Sequence, residues 1–153
     1  MAETKEIAEG MRKLLPIVLV LFASNAFGES IADLRQKAAA GDAEAQTTLG
    51  VRYANGRGVR KNYKEAVKWY HKAAEQGDAA GQYNLGLMYR IGRGVPKDYV
   101  AAYAWYRLAA YSGFKGGSKS RETIAKEMTP EQFAEAQELS KELLKKIEAD
   151  KKK

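Results

Sequence analysis

Cysteine is absent from the 153 residues, so neither a disulfide nor a thiolate metal site is available. Histidine occurs once, at His71, which excludes any centre built on two imidazoles. Proline is nearly absent as well; Pro96 stiffens a turn and Pro130 opens a helix, and neither interrupts one. Only one apolar run is long enough to notice, residues 14–23. It has about half of the ~20 residues that a bilayer-spanning helix needs, which argues against a permanent anchor. With one imidazole and no thiol, no nucleophile–base pair or metal constellation can be assembled. The sequence therefore predicts no catalytic residue, no metal and no cofactor.

That apolar run follows Arg12 and Lys13 and is followed by Ser24-Asn25-Ala26-Phe27-Gly28. A basic start, a short apolar stretch and small residues at its end make a secretory signal, with cleavage at Ala26 or Gly28. Glu3, Glu6 and Glu9 do not belong in such a basic start. Translation beginning at Met11 accounts for them, and the alternative is a cytoplasmic protein with a buried N-terminal apolar segment. Residues 1–28 are thus read as signal peptide, 29–153 as the domain, and the destination as periplasmic or secreted. Removing 1–28 takes away three charges of each sign, so the net charge of +7 is kept. Five of the positive charges lie at the extreme C-terminus, Lys145, Lys146 and Lys151 to Lys153, and read as a solvated tail.

What the chain has in abundance is self-similarity. Gly41, Gly77 and Gly113 stand 36 residues apart, and residues 41–76 match residues 77–112 at 18 positions. A period of this size belongs to stacked arrays of supersecondary units. Each unit reads as two helices around a glycine-rich turn. Helix A follows the Asp42 or Asp78 cap, carries Leu49-Gly50 or Leu85-Gly86, and stops at Gly56 or Gly92. Helix B follows Asn62 or Asp98 and carries Tyr63, Ala66, Tyr70 and Ala73, or their counterparts. Glu65, three residues after Asn62, predicts a capping box. Gly50 and Gly86 cost roughly 1 kcal/mol each inside a helix relative to alanine, which points to close backbone approach against the alanines of helix B. Residues 31–40 resemble the tail of a helix B, and 118–128 a degenerate helix A. A closing helix is expected from Pro130 to about Ala149, with Phe133, Ala136, Gln137, Leu139, Leu143, Leu144 and Ile147 on the stripe that closes the core. Residues 113–150 would form the C-terminal cap.

The pattern Ala-x3-Leu-Gly-x2-Tyr-x2-Gly-x-Gly-Val-x2-(Asn/Asp)-Tyr-x2-Ala-x2-Trp-Tyr-x2-Ala-Ala-x2-Gly runs from Ala45 to Gly77. With Gly81 for the first alanine it runs again to Gly113. It resembles the Sel-one-like repeat (SLR), a relative of the tetratricopeptide repeat, and Met128 to Gln132 resembles the start of the closing helix in short bacterial members. The resemblance implies an all-α, α/α superhelical fold of two full hairpins with N- and C-terminal capping helices. It also implies a concave surface lined by helix A and an adaptor role, often in signalling, envelope biogenesis or host contact. Some secreted relatives staple each hairpin with a disulfide; without cysteine, nothing attached to that subgroup transfers.

Gly56-Arg57-Gly58-Val59 and Gly92-Arg93-Gly94-Val95 lack the Lys-Ser/Thr half of a phosphate loop, and their recurrence marks them as turns. Arg57 and Arg93 read as reaching a helix C-terminus or solvent, and Trp69 and Trp105 as core. His71 becomes Arg107 in the second copy and so reads as solvent-facing. The helix A positions that change between copies remain as candidates for partner binding: Glu44, Thr48, Arg52 and Asn55 against Ala80, Asn84, Met88 and Ile91. Their spacing keeps each set on one helical face, polar in the first unit and apolar in the second. The function expected is a non-enzymatic adaptor of the bacterial envelope that binds a peptide or partner domain. Nucleic acid is not expected as a partner, nor a stable membrane span after cleavage. Two alternatives stay open, a cell-wall hydrolase of carboxylate-only mechanism and a basic protein binding anionic envelope polymer.

Overall fold

The computed structural model describes residues 28–153; the segment read as export signal lies, up to residue 27, outside them. The described residues form seven helices and no strand. They are α1 (Ile31–Ala39), α2 (Ala43–Asn55), α3 (Tyr63–Glu75), α4 (Ala79–Ile91), α5 (Tyr99–Tyr111), α6 (Lys115–Ala125) and α7 (Pro130–Asp150). None is long and apolar enough to cross a membrane. The fold is an all-α repeat array. Helices α2 and α3 pack as one hairpin, α4 and α5 as the next, with α3 against α4 joining them.

The 36-residue period extends beyond the two units visible in the sequence. Helices α2, α4 and α6 start at residues 43, 79 and 115, and α1, α3 and α5 end at 39, 75 and 111. α6 is therefore a third helix A in phase, starting three residues before the sequence pattern suggests. Its Gly117 stands where Gly81 stands in α4, and a Cβ there would come 2.6 Å from the Ala110 nitrogen on α5. The backbones of α5 and α6 touch because nothing but hydrogen lies between them.

Local chemistry sets the helix ends. Asp42 and Asp78 accept from the backbone N–H of Ala45 and Gly81, and Asn62 and Asp98 from those of Glu65 and Ala101. Thr129 and Gln132 close a reciprocal capping box at the start of α7. The box expected at Asn62 is only half made, for Glu65 turns to Lys68 at 3.9 Å instead.

Gly50 and Gly86 do meet helix B closely, but against tyrosine as well as alanine. A Cβ at Gly50 would lie 2.5 Å from the Tyr70 ring and 3.2 Å from the Ala66 carbonyl oxygen; Gly86 faces Tyr106 and Ala102 in the same way. Each tyrosine thus lies across the glycine of its own hairpin and also packs on toward the next elements, Tyr70 on Leu85 and Met88 and Tyr106 on Ile124. Burial pushes both the Tyr70 and Tyr106 hydroxyls up to about 12. Stacking between units uses a second glycine. Gly94 has φ +75°, and a Cβ on it would collide with the Tyr63 carbonyl at the start of α3. Arg93 beside it, though exposed, donates to the Tyr63 hydroxyl at 2.9 Å with its guanidinium 5.1 Å from the ring, so it reaches the first residue of α3 and not a helix C-terminus.

The core runs through the array as three apolar clusters. One joins Leu34 and Ala38 of α1 to Ala45 and Leu49 of α2. A second joins Val67, Tyr70 and Ala74 of α3 to Leu85 and Met88 of α4, Trp105 and Leu108 of α5, and Ile147 of α7. The third gathers Ala102, Tyr103 and Tyr106 with Ile124 and Ala136. The closing helix buries the expected Ala136 and Ile147, and also Ser140. It packs along α5 rather than folding back on α6, and Lys146 reaches Glu75 at the end of α3.

Candidate functional site

Polar joints repeat at the interfaces and decide which positions are free for a partner. Gln46 donates to the Ala38 carbonyl at 3.0 Å, and Gln82 to the Ala74 carbonyl at 3.2 Å, each adding a side-chain donor to a last-turn carbonyl of the preceding helix B that already accepts the N–H of Gly41 or Gly77. Thr47 donates to the Asp78 carboxylate at 2.7 Å. One period later the same two positions hold Tyr83 and Phe114, stacked at 4.4 Å, which explains why α6 starts without a side-chain cap. Arg35 donates to the Tyr53 hydroxyl, and 36 residues on His71 Nε2 meets the Tyr89 hydroxyl, each at 3.2 Å.

His71 is accordingly half-buried, with Tyr89 and Trp105 edge-on to its ring, and not the solvent-facing residue that the sequence suggests. Burial lowers its pKa below 6.5; Glu75 opposes the shift and Lys146 adds to it. The substitution by Arg107 misleads because Arg35 and His71 do the same work, holding a tyrosine hydroxyl across an interface.

The variable positions of helix A are divided by the fold. On α2, Glu44, Thr48 and Asn55 are exposed and Arg52 is half-buried; on the adjacent α4, Asn84 is half-buried and Ile91 is 43% exposed. Met88 is only 6% exposed and belongs to the core with Trp105, Leu108 and Ile147, so it is not available as an anchor. At about 100° per residue, Met88 lies about 60° from the centre of the Ala80–Asn84–Ile91 stripe and about as far from buried Leu85. It is a border position. Arginine there keeps its charged head toward water, whereas methionine turns inward. Leu87 is the residue missed: half-buried, it sits about 40° from the stripe's centre, as does its counterpart Val51 on α2. The spacing 84–87–91 is as helical as 84–88–91, and only the position of Leu85 chooses between them. Asn55 is exposed and donates to the Val51 carbonyl of its own helix at 3.0 Å. Among the described residues no group of His, Asp or Glu is placed to hold a metal ion.

The Sel1 repeat family model matches residues 43–78 and 79–114, covering both hairpins. The chain carries two Sel1 repeats. Its structure is similar to that of c5321, a protective antigen present in uropathogenic Escherichia coli strains and displaying an SLR fold. Identity is 38%, the TM-score is 0.73, and the match covers 74% of this chain and 25% of that one. A Sel1 repeat protein from Oxalobacter formigenes is 41% identical, with a TM-score of 0.56 over 57% of this chain and 36% of the other. The chain thus spans between a quarter and two fifths of these relatives. Comparison with curated proteins gives no match. Sel1 repeats are in general a non-catalytic scaffold for protein–protein interaction.

Proposed function

We propose that this protein is a non-enzymatic adaptor of the bacterial envelope whose exposed helix A stripe holds a peptide or a partner domain. The observation that carries the reading is Ile91. A large apolar side chain 43% exposed, at the end of a helix A stripe with Leu87 and Asn84, is left over when the core has been filled. Glu44, Thr48, Arg52 and Asn55 on α2 give that stripe a polar half, so a partner meets an apolar contact on one unit and hydrogen-bonding groups on the other. A few buried apolar anchors with polar contacts fixing orientation is how such surfaces obtain affinity. The envelope assignment rests on the signal-like residues 11–28, and its test is the mass of the protein in intact cells: an unprocessed chain defeats it.

The binding stripe is tested by crosslinking capture from intact cells with the double variant Ile91→Asp and Asn84→Ala. Both positions lie outside the apolar clusters, so the melting temperature should stay within about 2 °C while capture of the specific partner is lost. Unchanged capture would overturn the stripe as the binding surface.

A further inference from the structure

At the third joint the repeat loses a ring. Tyr53 and Tyr89 each meet a polar side chain of the preceding helix B, Arg35 and His71 respectively. The residues one period further on are Ala125 and Arg107. Where the tyrosine would stand there is an open cleft of about 570 Å³ between α5, α6 and α7, lined by Ala125, Arg107, Tyr103 and Phe133. Tyr103 and Phe133 form an edge-to-face pair at 5.3 Å, so one wall is aromatic. Arg121, Lys126 and Lys141 also line it, against the single carboxylate of Glu122. The cleft therefore combines an aromatic wall with charged groups, and because Lys141 is paired with Glu138 at 2.7 Å, three cations, Arg107, Arg121 and Lys126, face the one carboxylate of Glu122.

Arg107 is half-buried and spends one N–H on the Ser140 hydroxyl at 3.0 Å, which itself donates to the Gln137 carbonyl. A guanidinium has five N–H donors, so others remain for a ligand. Arg121 keeps only a long contact with Glu122, 3.8 Å. We propose that this cleft is a second binding site, separate from the helix A stripe. It takes from another chain the tyrosine ring that the first two joints supply internally. The ligand is a tyrosine-bearing acidic peptide segment. Its ring enters between Ala125 and the Tyr103–Phe133 wall, its hydroxyl meets Arg107, and flanking carboxylates meet Arg121 and Lys126.

The test is fluorescence anisotropy of the whole protein with a labelled peptide, acetyl-Asp-Glu-Tyr-Glu-Asp-amide, at moderate salt. Two control peptides carry alanine for the tyrosine, or lysines for the acids. Saturable binding of the first, weakened at least tenfold in either control, is the expected result. Ala125→Tyr should close the cleft with the protein's own ring and abolish binding while the protein stays folded. Arg107→Gln and Lys126→Gln should each weaken it severalfold, and they answer the question even if Ala125→Tyr fails to fold. The stripe variant Ile91→Asp with Asn84→Ala should bind this peptide as the wild type does, which separates the two sites. Equal binding of the alanine peptide would reduce the cleft to a charged patch. Absence of binding, or full binding by the Lys126→Gln and Arg107→Gln proteins, would also overturn the proposal.

Discussion

Comparing the same residue one period apart shows what each side chain contributes. The Gln46 side-chain oxygen receives a hydrogen bond from Gln76 at 2.8 Å, whereas the matching oxygen of Gln82 is buried without a partner, since Ser112 stands where Gln76 would be. The two C-cap backbones are nearly identical, with φ −83° and ψ −4° at Gln76 and φ −79° and ψ 4° at Ser112. Ser112→Gln should therefore supply the missing donor and stabilise the protein by about 1 kcal/mol. Denaturant unfolding measures this, and the gain must vanish in a Gln82→Met background, because otherwise the bond is not its source. His71 is read by the same comparison. Unfolded, it takes up a proton near its ordinary 6.5; folded, burial beside Trp105 and Tyr89 makes it hold out to lower pH. Protonation thus favours the unfolded chain, so stability is full above pH 6.5 and falls as pH drops through the window down to the lowered value. Melting temperatures across that range should show the decline in the wild type and a flatter profile in His71→Gln. An equal slope in the two proteins would place the effect on other groups.

Helices were the most legible level of this sequence, because caps and glycines act within a few residues. Each of the caps Asp42, Asn62, Asp78, Asp98 and Thr129 accepts a backbone N–H at the expected helix start. What the sequence could not resolve was the direction in which the border and interface positions turn. Met88 stands midway between the stripe and Leu85, and it turns inward because Trp105, Leu108 and Ile147 on α5 and α7 receive it, which the helical period alone does not carry. The start of α6 was obscured for a related reason: its cap is replaced by the Tyr83–Phe114 stack, a contact between helices. The structure also ranks the two capping pairs. Thr129→Ala removes a closed box and should cost about 1 kcal/mol, while Glu65→Ala, at a box that is open, should cost less than about 0.5 kcal/mol. Chemical denaturation of the two variants checks the order, and a larger loss from Glu65→Ala would contradict the half-made box.

Taken as a whole, the array departs from simple stacking at its end. In a linear repeat each unit contacts only its neighbours, so a terminal cap stabilises the last unit and little else. Here α7 leaves α6, lies along α5, and places Ile147 in the cluster that contains Val67, Tyr70 and Ala74 of the first hairpin. Lys146 pairs with Glu75 there at 3.4 Å, but both partners are largely exposed and the pair adds little. Ile147, 4% exposed, is the clasp that matters. Ile147→Ala should cost about 2–5 kcal/mol, the ordinary range for a buried isoleucine reduced to alanine. The distribution of the loss distinguishes a clasp from a cap. If α7 ties both hairpins together, hydrogen exchange should quicken in α3 as well as α5, and unfolding should remain a single transition. A terminal cap would leave α3 amides as protected as before and loosen α5 and α6 alone.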